Sequence, residues 1–166
     1  MQELEKLTTE YVDNEDRIRL SGQLRSGETV ALWVTQRLVN RLLPHLFTAL
    51  ENHSDKGLPN EIVQSFALQA AKAELVESPP VLSSPKTLSW LVDAVDISVE
   101  ATSVKLRFRG RQQEQVGIAF QPVQLRQWLS ILHSVWGIAQ WQGDIWPEWI
   151  ASEKKPMQQP KKAALH

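Results

Sequence analysis

The sequence predicts an α+β fold made of two ββα units, with antiparallel sheets, one extra strand and a connecting helix. Three observations lead to this class. Two segments alternate apolar and polar residues with the period of a strand, and each is followed by an amphipathic helical pattern. The strands follow one another through short turns, which disfavours a parallel, doubly wound sheet. The length of 166 residues suits one domain, which we assign to residues 1–152.

The first ββα unit covers residues 17–50. Its strands carry apolar residues at every second position, namely Ile18, Leu20 and Leu24, then Val30, Leu32 and Val34. Ser26-Gly27 supplies the turn between them, and Thr35 is placed to cap the following helix. The buried stripe of that helix is Leu38, Val39, Leu42, Leu43, Leu46, Phe47 and Leu50. We expect Pro44 to bend or split the helix, because proline removes a backbone donor.

A connecting helix is predicted over residues 60–75, followed by a proline-rich connector. The apolar face of this helix comprises Ile62, Val63, Phe66, Ala67 and Ala70, and its alanines suit close packing. Residues 77–85 contain three prolines and three serines, so they form an extended connector and the only candidate linker.

The second unit, a βββα arrangement, covers residues 90–141. Period-two patterns predict strands at 90–99, 103–110 and 114–120. Pro122 sits at the first helical position that proline favours. The stripe of the last helix is Leu125, Trp128, Leu129, Leu132, Val135, Trp136 and Ala139.

The two units align without a gap at an offset of 86 residues. Residues 18–46 and 104–132 share six identities in 29 positions, and the agreement continues through the turn and the helix cap. Two ββα units placed in phase share apolar positions in any case. Internal duplication and independent similarity therefore both remain open.

Composition limits the classes of function. The net charge is -1, from 18 basic and 19 acidic residues, so no molecule-wide field favours nucleic acid or an anionic membrane. The absence of cysteine excludes disulfides, thiolate nucleophiles and iron–sulfur clusters. The acidic start is unlike a signal peptide, and no apolar run is long enough to span a bilayer. We expect a soluble, cytoplasmic protein without metal or cofactor, with a flexible, mildly basic tail at residues 153–166.

Catalytic motifs are scarce. The glycines form no phosphate-binding loop, and the four histidines are not spaced as helical metal ligands. The remaining candidate is Asp93, because strand parity over 90–99 points it toward the apolar side, where burial raises a carboxyl pKa. An enzyme using Asp93 and a histidine is the third hypothesis. An Asp at a bulge or a strand end is the alternative interpretation.

A basic strand face is the strongest electrostatic feature. Alternation places Lys105, Arg107, Arg109 and Arg111 on one side of a strand, and Arg17 and Arg19 occupy the corresponding side in the first unit. Such a face could bind nucleic acid or another polyanion. Two alternatives compete with this interpretation. Asp96 and Glu100 could pair with Lys105 or Arg107 across strands, or the acidic N-terminal segment could cover the row.

The neighbouring strands predict that something covers this sheet face. Their outward residues are mostly small and neutral: Thr29, Ala31 and Trp33, then Gln115, Gly117 and Ala119. The connecting helix or another subunit could provide the cover, and a sheet-mediated homodimer would fit. We therefore expect a non-catalytic protein–protein interaction or assembly domain, homodimeric, with polyanion binding as the alternative.

Tryptophan suggests a second location for a partner surface. Five of the seven tryptophans lie in the last helix and the segment after it. Trp146 and Trp149 either fold back on the domain or anchor a partner, as tryptophan does at binding hot spots. Trp33 is the third aromatic candidate, because it points the same way as the basic row.

Overall fold

The protein has the α+β fold that the sequence predicts. The computed structural model describes residues 2–52 and 57–152, and within them seven strands form two sheets accompanied by four helices. The strands are β1 (Leu4–Val12), β2 (Arg17–Leu24), β3 (Thr29–Val34), β4 (Leu88–Leu91), β5 (Ala94–Val99), β6 (Val104–Arg109) and β7 (Gln115–Phe120). The helices are α1 (Gln36–Asn52), α2 (Asn60–Ala73), α3 (Pro122–Ala139) and α4 (Glu148–Ala151). The predicted tail, 153–166, lies outside the described residues.

The strands form a first sheet, in the order β1-β2-β3-β4, and a second sheet, in the order β5-β6-β7. All neighbours are antiparallel except β3 and β4, which pair in parallel. The expected antiparallel hairpins are present at β2-β3 and β6-β7. The parallel pair was not expected, because its two strands belong to different halves of the chain.

Strand β1 is an element that the sequence analysis interpreted only as an acidic segment. Leu7, Thr9 and Tyr11 face the same side as the apolar residues of β2, because they pair with Gly22, Leu20 and Ile18. A register shift between Leu4 and Lys6 interrupts the two-residue period. A bulge of this kind hides a strand from a periodicity search. The acidic segment thus joins the first sheet, and its start, at Glu3, reaches the second sheet beside the basic row.

The two halves exchange their leading strands. Ala31 of β3 pairs in parallel with Ser89, and Gly117 of β7 forms a parallel bridge with Glu3. An offset of 86 residues relates Glu3 to Ser89 and Ala31 to Gly117, so the same offset relates the two contacts. The same offset converts the bounds of β3 into those of β7. The first half is therefore a βββα unit and the second a ββββα unit, and the start of each half pairs with the last strand of the other.

The predicted strand 90–99 is divided between the two sheets. Val92 N donates to Trp33 O of the first sheet, and Asp93 N donates to Arg109 O of the second. The chain changes sheet between these two residues, so parity does not carry across them. Asp93 consequently faces solvent instead of the core, contrary to the inward orientation expected from parity.

Helices α1 and α3 supply the apolar stripes that the sequence predicts. Pro44 lies inside α1, which continues as one helix from Gln36 to Asn52 and is not split. Gln121 and Gln124 form a capping box at the start of α3, which satisfies backbone donors of its first turn. Core residues from both halves form one hydrophobic cluster that includes Leu43 and Leu129. Neither half therefore has a separate core.

The segment after α3 folds back on the domain. Trp146 and Trp149 are 5% and 2% exposed, and both rings contact Phe47 of α1. Trp136 lies edge-on to Trp146, at 5.7 Å between ring centroids. Of the two interpretations of this segment, folding back is the one observed. Neither tryptophan is available to anchor a partner in this conformation.

A hydrogen-bonded titratable pair joins the end of β1, at Tyr11, to the turn before β2, at Asp16. Tyr11 Oη donates to Asp16 Oδ1 at 2.7 Å, and Trp141 Nε1 donates to the same oxygen at 3.0 Å. The hydrogen bond to Asp16, followed by desolvation and the nearby carboxylates, raises the pKa of Tyr11 to about 12. The hydrogen bond from Tyr11, then that from Trp141, lowers the pKa of Asp16.

We expect a spectrophotometric titration of the folded protein to show tyrosinate forming near pH 12 instead of near 10. Tyr11 is the only tyrosine in the chain, so the absorbance change reports this one group. Because its folded pKa is raised, its contribution to stability is present below pH 10 and is lost as the pH rises through the folded pKa. Asp16→Asn should return the pKa toward 10, and an unshifted wild-type titration would contradict the contact.

Candidate functional site

The predicted basic row lies on the outer face of the second sheet, opposite the core. Lys105, Arg107 and Arg109 alternate with the buried residues of β6, as the sequence predicts. Arg111 follows the end of β6 and is more exposed than the other three. These four cations form the candidate site, which we call the basic row.

Each cation of the basic row has a carboxylate partner. Arg107 Nη2 and Arg109 Nε lie 2.5 and 2.8 Å from Asp96 Oδ2. Lys105 Nζ lies 3.2 Å from Glu100, and Arg111 Nε lies 3.2 Å from Asp93. Pairing by Asp96 and Glu100 is one of the alternatives to a free basic face that the sequence allows, and that pairing is present. Exposed pairs of this kind are individually weak, so they can exchange partners.

Asp96 is the electrostatic centre of the row. Hydrogen bonds from Arg107, then from Arg109, lower the pKa of Asp96. Two guanidinium groups thus share one carboxylate, and one positive charge at this point is not neutralised by Asp96. Arg107 bonds Asp96 through Nε and Nη2. Arginine offers five donors, so it retains capacity for a further acceptor.

The two other predicted cations lie on a different sheet. Arg17 and Arg19 belong to β2 of the first sheet and do not extend the basic row. Arg19 Nη2 pairs with Glu10 at 2.6 Å, and its guanidinium carbon lies 5.6 Å from the ring centroid of Trp33. Trp33 Nε1 in turn donates to Ser89 Oγ at 2.8 Å. The predicted binding residues therefore form two separate groups.

The proline-rich connector crosses the outer face of the first sheet. Thr8, Ser21 and Ala31 lie side by side on that face, and all three are buried. Val81 N donates to Thr8 Oγ1 at 2.9 Å, and Thr87 shares a 2.7 Å hydrogen bond with Thr29. The small residues that suggested a cover are thus covered, but by the connector. Neither α2 nor a second subunit is needed for this face.

On the equivalent face of the second sheet, Gly117 is buried, whereas Lys105, Arg107 and Ala119 are exposed. The residues at the repeat offset from Thr8, Ser21 and Ala31 are Ala94, Arg107 and Gly117. A surface cavity of about 220 Å³ lies here, lined by Glu3, Asp96, Ser98, Lys105, Leu106, Arg107, Gly117 and Ile118. The basic row borders this cavity.

Helix α2 exposes the face that the sequence analysis expected to pack. Gln64, Leu68 and Ala71 are the buried residues of the helix, whereas Ile62 and Phe66 are 47% and 70% exposed. The spacing of the buried residues is helical, but Gln64 hid the pattern because a buried glutamine is uncommon. The apolar stripe of α2 thus faces outward, which the sequence analysis missed.

A groove runs between the exposed stripe of α2 and α4. It has a volume of about 390 Å³ and is lined by Glu61, Ile62, Ser65, Phe66, Gln69, Trp149 and Ser152. Leu58, which precedes α2, is 61% exposed and adds to the apolar area. Large contiguous apolar patches on a soluble domain mark interaction sites. This groove and stripe form the second candidate site.

The candidate catalytic residue, Asp93, lies at the surface. The side chain of Asp93 is half exposed and pairs with Arg111. In the part of the chain that the structure describes, no group of three or more His, Asp or Glu side chains could hold a metal ion. Over the same residues, no helix is both long and apolar enough to cross a membrane.

Fold and surfaces together define a class: an α+β domain whose described residues form two sheets and four helices, with the basic row and the exposed stripe of α2 as its two candidate sites. No protein-family model, curated protein or solved structure matches the chain.

Proposed function

We propose that this chain is a non-catalytic protein–protein interaction domain that assembles as a homodimer through α2. The observation that carries the proposal is the exposure of Phe66, which is 70% accessible in the middle of a helix whose other side is well packed. Burying a phenylalanine of this kind contributes about 1.5–3 kcal/mol. Its exposure in an isolated copy favours an interface at this place.

The α2 surface is self-complementary. One stripe of α2, at helical spacing, comprises Ile62, Phe66, Gln69 and Ala73. Its large apolar side chains lie in the first half of the helix, and the small Ala73 lies at the end. In a two-fold arrangement the two α2 helices run antiparallel. The half of one helix that carries large side chains then faces the half of the other that carries small ones. The groove beside Trp149 then receives the ring of Phe66 from the second copy. Aromatic anchors in pockets dominate interface energies.

Polyanion binding by the basic row has less support. Lys105, Arg107, Arg109 and Arg111 all have carboxylate partners, which lowers the number of phosphates that they could neutralise. Arg17 and Arg19, on the other sheet, cannot complete a continuous basic surface. The homodimer is therefore the function that the geometry supports best.

We expect the molar mass in solution to be that of a dimer, and Phe66→Glu to convert it to a monomer at the same concentration. The charge would be buried against an apolar surface in the dimer, whereas it is solvated in the monomer. Light scattering after size exclusion, from low to high micromolar concentration, measures the change.

The matched control is Leu82→Glu, since Leu82 is 74% exposed but lies in the connector, away from α2. This variant should remain a dimer. A wild-type monomer at high micromolar concentration, or a Phe66→Glu dimer, would exclude an interface at α2.

A further inference from the structure

The two sheets present equivalent outer faces, of which only one is occupied. The first is crossed by an extended, proline-rich segment of the chain itself, and the second is open beside the basic row. We propose that the open face binds an extended acidic segment of a partner protein, which lies along β7 and places carboxylates on Arg107 and Arg109.

The first sheet shows how an extended segment sits on such a face. The connector crosses over Thr8, Ser21 and Ala31, which are small enough to let its backbone approach. On the second sheet the equivalent of Ala31 is Gly117, which is buried beside Glu3, and the next outward residue of β7 is Ala119, which is exposed. These residues form a flat shelf beside the basic row. The shape therefore accepts a backbone, while Arg107 replaces the small Ser21 and adds charge.

The spacing of the cations selects the chemistry of the occupant. Lys105, Arg107 and Arg109 occur at every second position of β6, so they repeat at about 6.6–6.8 Å along the strand. An extended peptide with carboxylates at every second position has the same repeat. Its side chains can meet the basic row from the β7 side, opposite Asp96. Bidentate pairing of arginine with carboxylate then gives both affinity and register.

The charge of the row favours an acidic occupant over a neutral one. Arg107 and Arg109 share Asp96, so a second carboxylate between them restores a one-to-one pairing. Glu3 lies across the shelf, and its carboxylate is 3.9 Å from Arg25. It bounds the site on the side away from the basic row. The phosphate backbone of a nucleic acid needs more cations than this surface offers. The surface therefore favours an acidic peptide over a nucleic acid.

Binding can be measured with a fluorescent decapeptide that carries glutamate at alternate positions, with serine or proline between them. Fluorescence anisotropy with the full chain should show saturable, salt-sensitive binding. Arg107→Gln together with Arg109→Gln should weaken it at least tenfold, whereas Arg41→Gln, at an exposed position of α1, should leave it unchanged. Ala119→Glu tests the shelf, since it adds a like charge beside the bound segment and should also weaken binding at least tenfold.

Three further probes decide between occupants. The same decapeptide with glutamine in place of glutamate should not bind. Tighter binding of single-stranded RNA or heparin through Arg107 and Arg109 would overturn the proposal in favour of a polyanion site. Tighter binding of a peptide comprising residues 153–166 would overturn it in favour of an internal segment. Absence of binding by the glutamate peptide would also overturn it.

This site is independent of the α2 interface. Phe66→Glu should bind the glutamate peptide with the affinity of the wild type. Failure of the peptide to bind would contradict the peptide site but not the proposed dimer. A monomeric wild-type protein would contradict the dimer but not the peptide site.

Discussion

Replacing Trp136 by alanine should lower the free energy of unfolding by about 3–5 kcal/mol. The ring is 2% exposed and lies edge-on to Trp141 and Trp146, with 4.9 and 5.7 Å between ring centroids. Its Nε1 donates to Gln142 O at 2.6 Å, so truncation also removes the bond that holds the segment after α3. Since small domains are stable by about 5–15 kcal/mol, this loss is a large fraction of the whole.

Urea unfolding followed by circular dichroism measures the effect, because tryptophan fluorescence itself changes with the substitution. Trp33→Ala is the matched control, since Trp33 is only half-buried on a sheet face and should cost about 1–2 kcal/mol. Equal losses in the two variants would show that the aromatic cluster after α3 does not stabilise the core.

A second large loss in the free energy of unfolding is expected from replacing Arg126, where α3 meets α2. Arg126 is 6% exposed, and its Nη1 donates to Oε1 of the fully buried Gln64 at 2.6 Å. Burial lowers the pKa of Arg126, although the guanidinium stays charged at neutral pH. Arg126→Ala removes a charged donor from a buried acceptor and leaves a cavity, so it should cost about 3 kcal/mol.

The combined change of Arg126→Met and Gln64→Leu should recover more than half of that loss, because apolar groups of similar volume do not leave buried polar atoms unpaired. Urea unfolding gives the free energies, and hydrogen exchange in α2 locates the loosening. A loss below about 0.5 kcal/mol in Arg126→Ala would mean that the interface between the helices does not depend on this bond.

Local patterns predicted the elements that pair and pack within one unit. Strands β2, β3, β6 and β7 and helices α1 and α3 all follow from alternation and helical stripes. The sequence could also predict the basic row and its partners Asp96 and Glu100, because parity places them on one face of adjacent strands. These features depend on residues close in sequence.

The features that escaped prediction depend on contacts between the halves or on broken periodicity. The bulge between Leu4 and Lys6 concealed β1, and the change of sheet at Val92-Asp93 reversed the orientation of Asp93. The exposed side of α2 was mistaken for its packed side, because Gln64 occupies a core position. No local rule shows that a buried amide finds its partner on Arg126, 62 residues away.

The exchange of leading strands sets the order in which the protein can complete its fold during synthesis. The bridge between Glu3 and Gly117 spans more than two thirds of the chain. The second sheet therefore remains without this neighbour until β7 has formed, however early the N-terminal segment is made. Contacts of such long sequence separation raise the contact order and slow folding. A nascent chain halted before β7 would leave one edge of β6 unpaired.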